Sequence, residues 1–158
     1  MNIQLATHVD GQFILELIVR NSRKHFNATF IDIKYQQSLV EQIKRTISDG
    51  MCPMPQAIYQ SKIKVAVKDG KPTGFLWTLQ KTKQEIELYI LAVSPEHRRT
   101  GHAEMLINEA LLNLTPGTTV TSRVKRQSRE MKYLLRKLSF EGQRYFPFKT
   151  QTFTRIIS

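Results

Sequence analysis

The chain has 158 residues, 41% hydrophobic and 23% charged, an ordinary globular composition on a chain long enough to bury a core. No apolar run approaches the about 20 residues that span a bilayer, and the opening MNIQLATHVD has no basic stretch leading into an apolar one, which argues against membrane and secreted proteins and for a cytoplasmic location. The single cysteine, Cys52, excludes an internal disulfide and a cysteine metal site, while the formal net charge of +11 points to an anionic partner or a strongly solvated surface.

That charge is uneven. Residues 1–97 carry 12 basic and 9 acidic groups, and residues 98–158 carry 12 and 4. No repeat, low-complexity tract or linker interrupts the chain, so residues 1–158 are expected to form a single domain. A short strand at Ile3–Ala6 comes first. Asp10 to about His25 has a helical stripe of Phe13, Ile14, Leu17 and Ile18, and Ile33–Ser48 repeats it through Leu39, Val40, Ile43 and Ile47. The stretch SDGMCPMPQ reads as a loop, with Gly50, Pro53 and Pro55 as breakers. Lys62–Lys68 and Thr73–Gln80 then read as a hairpin about Asp69-Gly70, followed by a strand at Glu85–Val93. Apolar residues on both faces near its end mark this last strand as central. A helix is expected at His102–Asn113, with Ala103, Leu106, Ile107, Ala110 and Leu111 inward. After the break LTPGTT, TVTSRV is a short strand. Ser128 can cap a helix striped by Met131, Leu134, Leu135 and Leu138, and the tail suggests two strands about a turn near Lys149. An antiparallel meander followed by strand–helix–strand units implies one mixed α/β sheet, with the site where strand ends meet a helix start.

The segment RRTGHA lies at that junction. A helix's first turn offers unpaired amides and a partial positive charge, so it can hold phosphate. Gly101 lets a bulky anion approach the backbone, Ala103 keeps the next position clear, and Arg98 and Arg99 add charged donors. A solvated turn with incidental arginines is the alternative. The strand before and the helix after favour the anion site.

Arg98-Arg99-Thr100-Gly101-His102-Ala103, preceded by LAVSPEHR, resembles motif A (Q/R-x-x-G-x-G/A) of the GNAT superfamily of acyl-CoA-dependent N-acyltransferases. The likeness is specific from about Glu85 to Leu112, and the element order extends it along the chain. It implies a GNAT-like α/β domain with antiparallel N-terminal strands, central parallel strands that splay apart, and about four helices. It further implies acetyl-CoA as donor. The pantetheine arm would pair with the backbone near Leu91, Ala92 and Val93. The pyrophosphate would sit on the amides of residues 99–104, from Arg99 to Glu104. Downstream basic residues would meet the 3′-phosphate.

Acetyl transfer to an amine needs a base, a donor to the carbonyl oxygen, and a stabilised leaving thiolate. Simple alternation puts Glu85, Glu87, Tyr89, Leu91 and Val93 on one strand face. Glu87 is the candidate base, because burial raises a carboxylate's pKa toward neutrality. It also stands where some family members carry a basic glutamate. A carboxylate merely paired with a lysine is the equal alternative, and Glu85 is read that way. The family resemblance assigns the carbonyl oxygen to a backbone N–H near Leu91 or Ala92. For the thiolate, many relatives carry N-x-x-A-x-x-x-Y-x-K-x-G-F. In SREMKYLLRKLSF, Lys137 and Phe140 match, but Ser128, Leu135 and Ser139 replace the asparagine, tyrosine and glycine. Tyr133 falls off the apolar stripe and reads as a surface aromatic.

His97 and His102 read as surface or cap residues, no metal-ligand spacing is evident, and Cys52 reads as an incidental loop thiol. Phe75 and Trp77 read as core. The expected activity is N-acetyl transfer to a primary amine on a protein, an aminoacyl group or a small molecule. By the resemblance, RNSRKHFNATF and the final hairpin shape the acceptor pocket, where Arg20, Arg23 and Lys24 tilt toward an acceptor carried on RNA or an acidic protein. A non-catalytic CoA-binding module with a nucleic-acid or protein partner is the alternative, and RVKRQSREMKYLLRK is a candidate patch for it. An exposed final strand would allow a homodimer.

Overall fold

Near Gly50 the hydrophobic period changes, and with it the kind of structure. The computed structural model describes residues 1–22, 33–143 and 150–158. Strand β1 (Asn2–Leu5) precedes helix α1 (Gly11–Asn21), which buries Ile14, Leu17 and Ile18, and helix α2 (Ile33–Asp49), which buries Leu39, Ile43 and Thr46. Gly50, at φ 69°, takes the left-handed conformation that ends α2. The predicted loop after it is in part a strand. Residues of β2 (Met51–Pro53) pair with Gln60, Tyr59 and Ile58. The breaker residues hid it, but Pro53 stands at the strand's last position, where little ladder bonding is lost.

Strands β3 (Ile58–Lys68) and β4 (Lys71–Thr82) form the hairpin, longer at both outer ends than the sequence suggests. Asp69 and Gly70 turn it with φ of 53° and 76°, the conformation that matches strand twist. Next come β5 (Glu85–Val93), helix α3 (His102–Leu111), β6 (Thr119–Lys125), helix α4 (Arg129–Lys137), β7 (Glu141–Gly142) and β8 (Thr150–Ile156). Ser128 precedes α4, but its hydroxyl does not cap the helix. The expected turn near Lys149 lies outside the described residues, as do Arg23, Lys24 and most of RNSRKHFNATF.

The strands form one sheet in the order β1-β3-β4-β5-β6-β8-β7, with β2 also on β3. Among the described residues every pair is antiparallel except β5–β6, which α3 connects. The final strand is not a bare edge, because β7 covers β8 at Phe153 and Thr154. Each sheet face carries its own core. Ile14, Ile18, Leu39 and Ile43 pack with Val65, Phe75, Trp77 and Ile90 on one face. Leu106, Ile107 and Leu135 pack with Leu76, Leu88, Val120 and Phe153 on the other.

Two irregularities of β5 set up the site. Opposite β4 the register steps from Trp77↔Ile90 to Thr78↔Leu88, so Tyr89 is an extra residue, a β-bulge. It breaks the expected alternation. Leu88 and Leu91 face the α3/α4 core, whereas Tyr89 and Ile90 face the α1/α2 core. Glu87 pairs with Leu79, a residue of the α1/α2 core, and cross-strand partners share a face. Glu87 and Leu91 therefore lie on opposite faces of the sheet. On the other side, the parallel pairing with β6 stops at Leu88↔Ser122, leaving the β5 edge from Tyr89 to Val93 open.

Gly74 keeps that end of β5 close to β4. A Cβ there would lie 2.8 Å from the Ala92 carbonyl oxygen and 3.1 Å from Val93 Cα. Backbone cannot swing aside as a side chain can. Gly74→Ala is expected to cost about 1–3 kcal/mol, the usual range for overpacking, read as a lower urea midpoint at unchanged slope.

Candidate functional site

The open edge of β5 forms one wall of the main cleft, a cavity of about 670 Å3. Leu91, Ala92 and Val93 stand on one side, the turn from His97 to Glu104 closes one end, and α4 supplies Met131, Tyr133, Leu134 and Lys137 opposite. The walls are largely apolar and the end is polar. Of the residues expected at the anion site, all but Thr100 line this cleft.

Each residue of the turn has a separate task. Gly101 stands at the N-cap position of α3 with φ 84° and no side chain to cap it, and a Cβ on it would meet nothing within 4 Å, so the space above the helix start is open. Within α3, Met105 donates to the Gly101 carbonyl at 3.0 Å. The amides ahead of it have no helical acceptor, as at any helix start. Arg98 bends back instead of reaching out: its Nε donates to the Val93 carbonyl at 3.1 Å and its Nη2 to Asn21 Oδ1. It is a brace between the turn, β5 and α1, which corrects its expected part as a free phosphate donor. Arg99 takes φ 61°, rare for a residue with a side chain. Its exposed guanidinium pairs with Glu130 at 3.3 Å, and Lys137 pairs with Glu104 at 3.0 Å, so two ion pairs join the turn side to α4.

Of the two readings of His102, surface or cap, exposure is the one the structure corrects. It is buried at the first position of α3. The Thr100 hydroxyl donates to the His97 carbonyl and touches His102 Nδ1. Nδ1 must then be the donor to the hydroxyl, leaving Nε2 a bare acceptor, and that buried atom has no partner among the described residues. Burial, with help from the positive charges of His97, Lys68 and the N-terminus, holds the imidazole below its usual pKa. His97 is half-buried and bonds Ser94 through Nδ1 at 3.1 Å.

Glu87 lies behind the cleft, on the opposite face, 4% exposed. Its two oxygens meet two cations. Arg123 reaches Oε2 through Nε at 3.2 Å and Nη2 at 3.1 Å, and Lys81 stands 3.5 Å from Oε1. Glu85 is half-buried with no ion pair among the described residues. Where β5 and β6 part, a small cavity of about 70 Å3 opens between Leu88, Tyr89, Leu91, Ser122, Arg123 and Met131. Tyr89 and Arg123 belong to the Glu87 side of the sheet, while Leu91 and Met131 also line the main cleft or its core. The gap therefore joins the two faces. Burial above all keeps the Tyr89 hydroxyl a phenol far above neutral pH. Arg123 and Tyr89 escaped the sequence reading because Arg123 meets Glu87 only through the register of two strands 36 residues apart.

On α4, Leu135 is wholly buried, so the position of the relatives' tyrosine is core here. Tyr133 is 73% exposed yet lines the cleft. Ser139 holds φ 68°, a conformation natural to the glycine it replaces. Cys52 is buried in β2, and burial pushes its thiol up to about 11, ill suited to carrying an acyl group.

Residues 28–113 match the model of the acetyltransferase (GNAT) family. The chain belongs to that family and is an acetyl-CoA-dependent acetyltransferase, as its sequence motif led us to expect. Comparison with curated proteins finds no match. Solved structures establish the fold. The PaiA N-acetyltransferase of Thermoplasma acidophilum, in complex with coenzyme A, is 18% identical at a TM-score of 0.70, covering 98% of both chains. A histone acetyltransferase HPA2 and related acetyltransferase from Corynebacterium glutamicum is 17% identical at 0.69, covering 99% of this chain and 96% of its own. An aminoglycoside 6'-N-acetyltransferase complexed with coenzyme A is 10% identical at 0.70, covering 100% and 98%. Among the described residues no helix is long and apolar enough to cross a membrane.

His102 generates a pH prediction. Its folded pKa is depressed, so the unfolded chain takes up the proton first, and stability falls as pH drops below about 6.5. Denaturant titrations at pH 7.5 and 5 should show wild type losing more stability in acid than His102→Asn. Equal losses would mean the buried imidazole adds nothing to acid sensitivity.

Proposed function

We propose that this enzyme binds acetyl-CoA in the main cleft and passes the acetyl group through the β5–β6 gap to a primary amine arriving from the α1/α2 face. The observation that carries this reading is the cleft itself: an apolar channel bounded by an open strand edge and ended by an uncapped helix start. An open edge pairs with an extended amide-bearing chain such as pantetheine, here along Leu91, Ala92 and Val93. Helix-start amides from Arg99 to Glu104, around Thr100, Gly101, His102 and Ala103, suit a pyrophosphate. Arg98 braces them. The Arg99–Glu130 pair is exposed and so weak that a phosphate can displace the carboxylate.

In the transfer, the chain orients the thioester, supplies a backbone N–H near Leu91 or Ala92 to its oxygen, and takes a proton from the amine at Glu87. Both Glu87 oxygens already meet cations, so proton acceptance requires Lys81 or Arg123 to give way, or a water to relay. Leu135 cannot protonate the thiolate, and Tyr133 lies on the cleft wall but in solvent, so the thiolate draws its proton from the amine or water. The acceptors named for the structural neighbours, a histone and an aminoglycoside, are both amines. The basic second half of the chain is served equally by the cofactor's phosphates, so it does not by itself require an acceptor carried on RNA or an acidic protein.

Two variants test this. Gly101→Glu puts a carboxylate in the open space over the helix start and costs about 1–2 kcal/mol of left-handed strain. It should remain folded and lose CoA binding by calorimetry, and unchanged affinity would remove the anion site. Glu87→Gln should keep CoA affinity while turnover drops by about two to four orders of magnitude. A near-normal rate at neutral pH would leave Glu87 a structural carboxylate.

A further inference from the structure

The groups around Glu87 point beyond amine acceptance to the kind of amine accepted. We propose that the acceptor is a small molecule carrying a carboxylate a few bonds from its primary amine, with the carboxylate held by Arg123 and the amine turned to Glu87. This rests on the transfer route proposed above and adds the substrate class.

Arg123 is the chief observation. A guanidinium has five N–H donors in a planar fork. The Nε N–H and one of the two Nη2 hydrogens go to a single oxygen, Glu87 Oε2. Nη1 has no partner among the described residues, so the Nη1/Nη2 end of the fork is open. That side chain is 58% exposed while the carboxylate anchoring it is 6% exposed. The arginine is thus fixed at its base and open at its tip, in the gap where the two sheet faces communicate. An open guanidinium end matches a carboxylate with two parallel bonds.

Charge balance points the same way. Glu87 is one negative charge between two positive ones, Arg123 and Lys81. Lys81 is held there over the ring of Tyr59, 4.3 Å from its centroid. The cluster around Glu87 therefore carries a surplus positive charge. An acceptor that brings one ammonium and one carboxylate adds no net charge and sets its carboxylate against that surplus, whereas a polyamine adds like charge to a partly desolvated site. Tyr89 contributes a phenol hydroxyl, with no partner among the described residues, at the same gap. The amine and carboxylate must reach Glu87 and Arg123 together, and these side chains touch, so the two groups lie a few bonds apart, as in an amino acid. Chemically, one proton leaves the ammonium for Glu87 and then solvent. The C–N bond forms, the C–S bond breaks, and the second amine proton goes to the leaving thiolate. The products are an N-acetyl acid and CoA.

The experiment compares L-amino acids with their carboxamides, spermidine, and a peptide with a free N-terminus and an adjacent acidic residue. It uses the full chain, reading thiol release and, separately, calorimetric binding to the CoA-loaded protein. The acids are expected to exceed their amides by at least about tenfold in kcat/KM and in affinity. Arg123→Gln should erase that ratio by raising KM for the acids and not for the amides. Any general damage from unpairing Glu87 affects acid and amide alike and cancels in the ratio. Amides, spermidine or the peptide preferred over the acids would overturn the proposal, as would Arg123→Gln lowering acids and amides equally. If nothing turns over, the calorimetric ratio still decides recognition. Absence of CoA binding would instead sink the transfer reading beneath it.

Discussion

The early parting of β5 from β6 is the constraint on which the rest of the molecule depends. Parallel pairing ends after four residues, at Leu88↔Ser122. From there one strand keeps its antiparallel neighbour β4, and the other keeps β8. Backbone amides on a central strand are thereby left open without exposing a sheet edge to other chains, because the edge lies inside the molecule under α3 and α4. The bulge at Tyr89 belongs to the same solution. An extra residue bends and twists the strand locally, and it does so one residue beyond the last pairing with β6.

The bulge also decides which groups can meet. With regular alternation, Glu87 and Leu91 would share a face, and the carboxylate would stand in the same cleft as the open strand edge. With Tyr89 inserted, the carboxylate and the cleft lie on opposite faces and communicate only through the gap. That separation suits a reaction between two substrates that must not compete for one channel. On the proposed route a long phosphorylated donor would lie along the α3/α4 face, and the acceptor would come from the α1/α2 face. Arg98 ties the two halves together, since it joins the turn before α3 to the end of β5 and to Asn21 on α1.

Much of this is legible in the sequence where the determinants are local. The glycine before α3, the apolar run of β5 and the stripes of α1 and α2 are properties of neighbouring residues, and they place the turn between β5 and α3 correctly. What stays hidden is long-range. A bulge leaves no mark on the residues IELYILAV, because it arises from the register against β4. The pairing of Arg123 with Glu87 depends on the offset between β5 and β6. His102 reads as polar and therefore exposed, yet its ring is buried against the turn, because a residue opening a helix at a strand end can point either way. Strand β2 was masked by Gly50 and the two prolines, which here bound a strand instead of a loop.

The fate of the expected tyrosine shows how far a motif travels. Its position, Leu135, is wholly buried beneath α4 and helps hold that helix against Leu106 and Phe153. A hydroxyl could be restored there only with a void or a clash to follow, whereas the open wall of the cleft is formed by Met131, Tyr133 and Leu134. This chain has spent the position on packing. Thiolate departure must then be eased from elsewhere. The electrostatics already present would serve: a helix start at the end of the cleft carries partial positive charge, and Arg123, which lines the gap, stands with Lys81 around one carboxylate. Negative charge on a leaving sulfur near that gap would develop in a positive field, and a field needs no single acid at a fixed position.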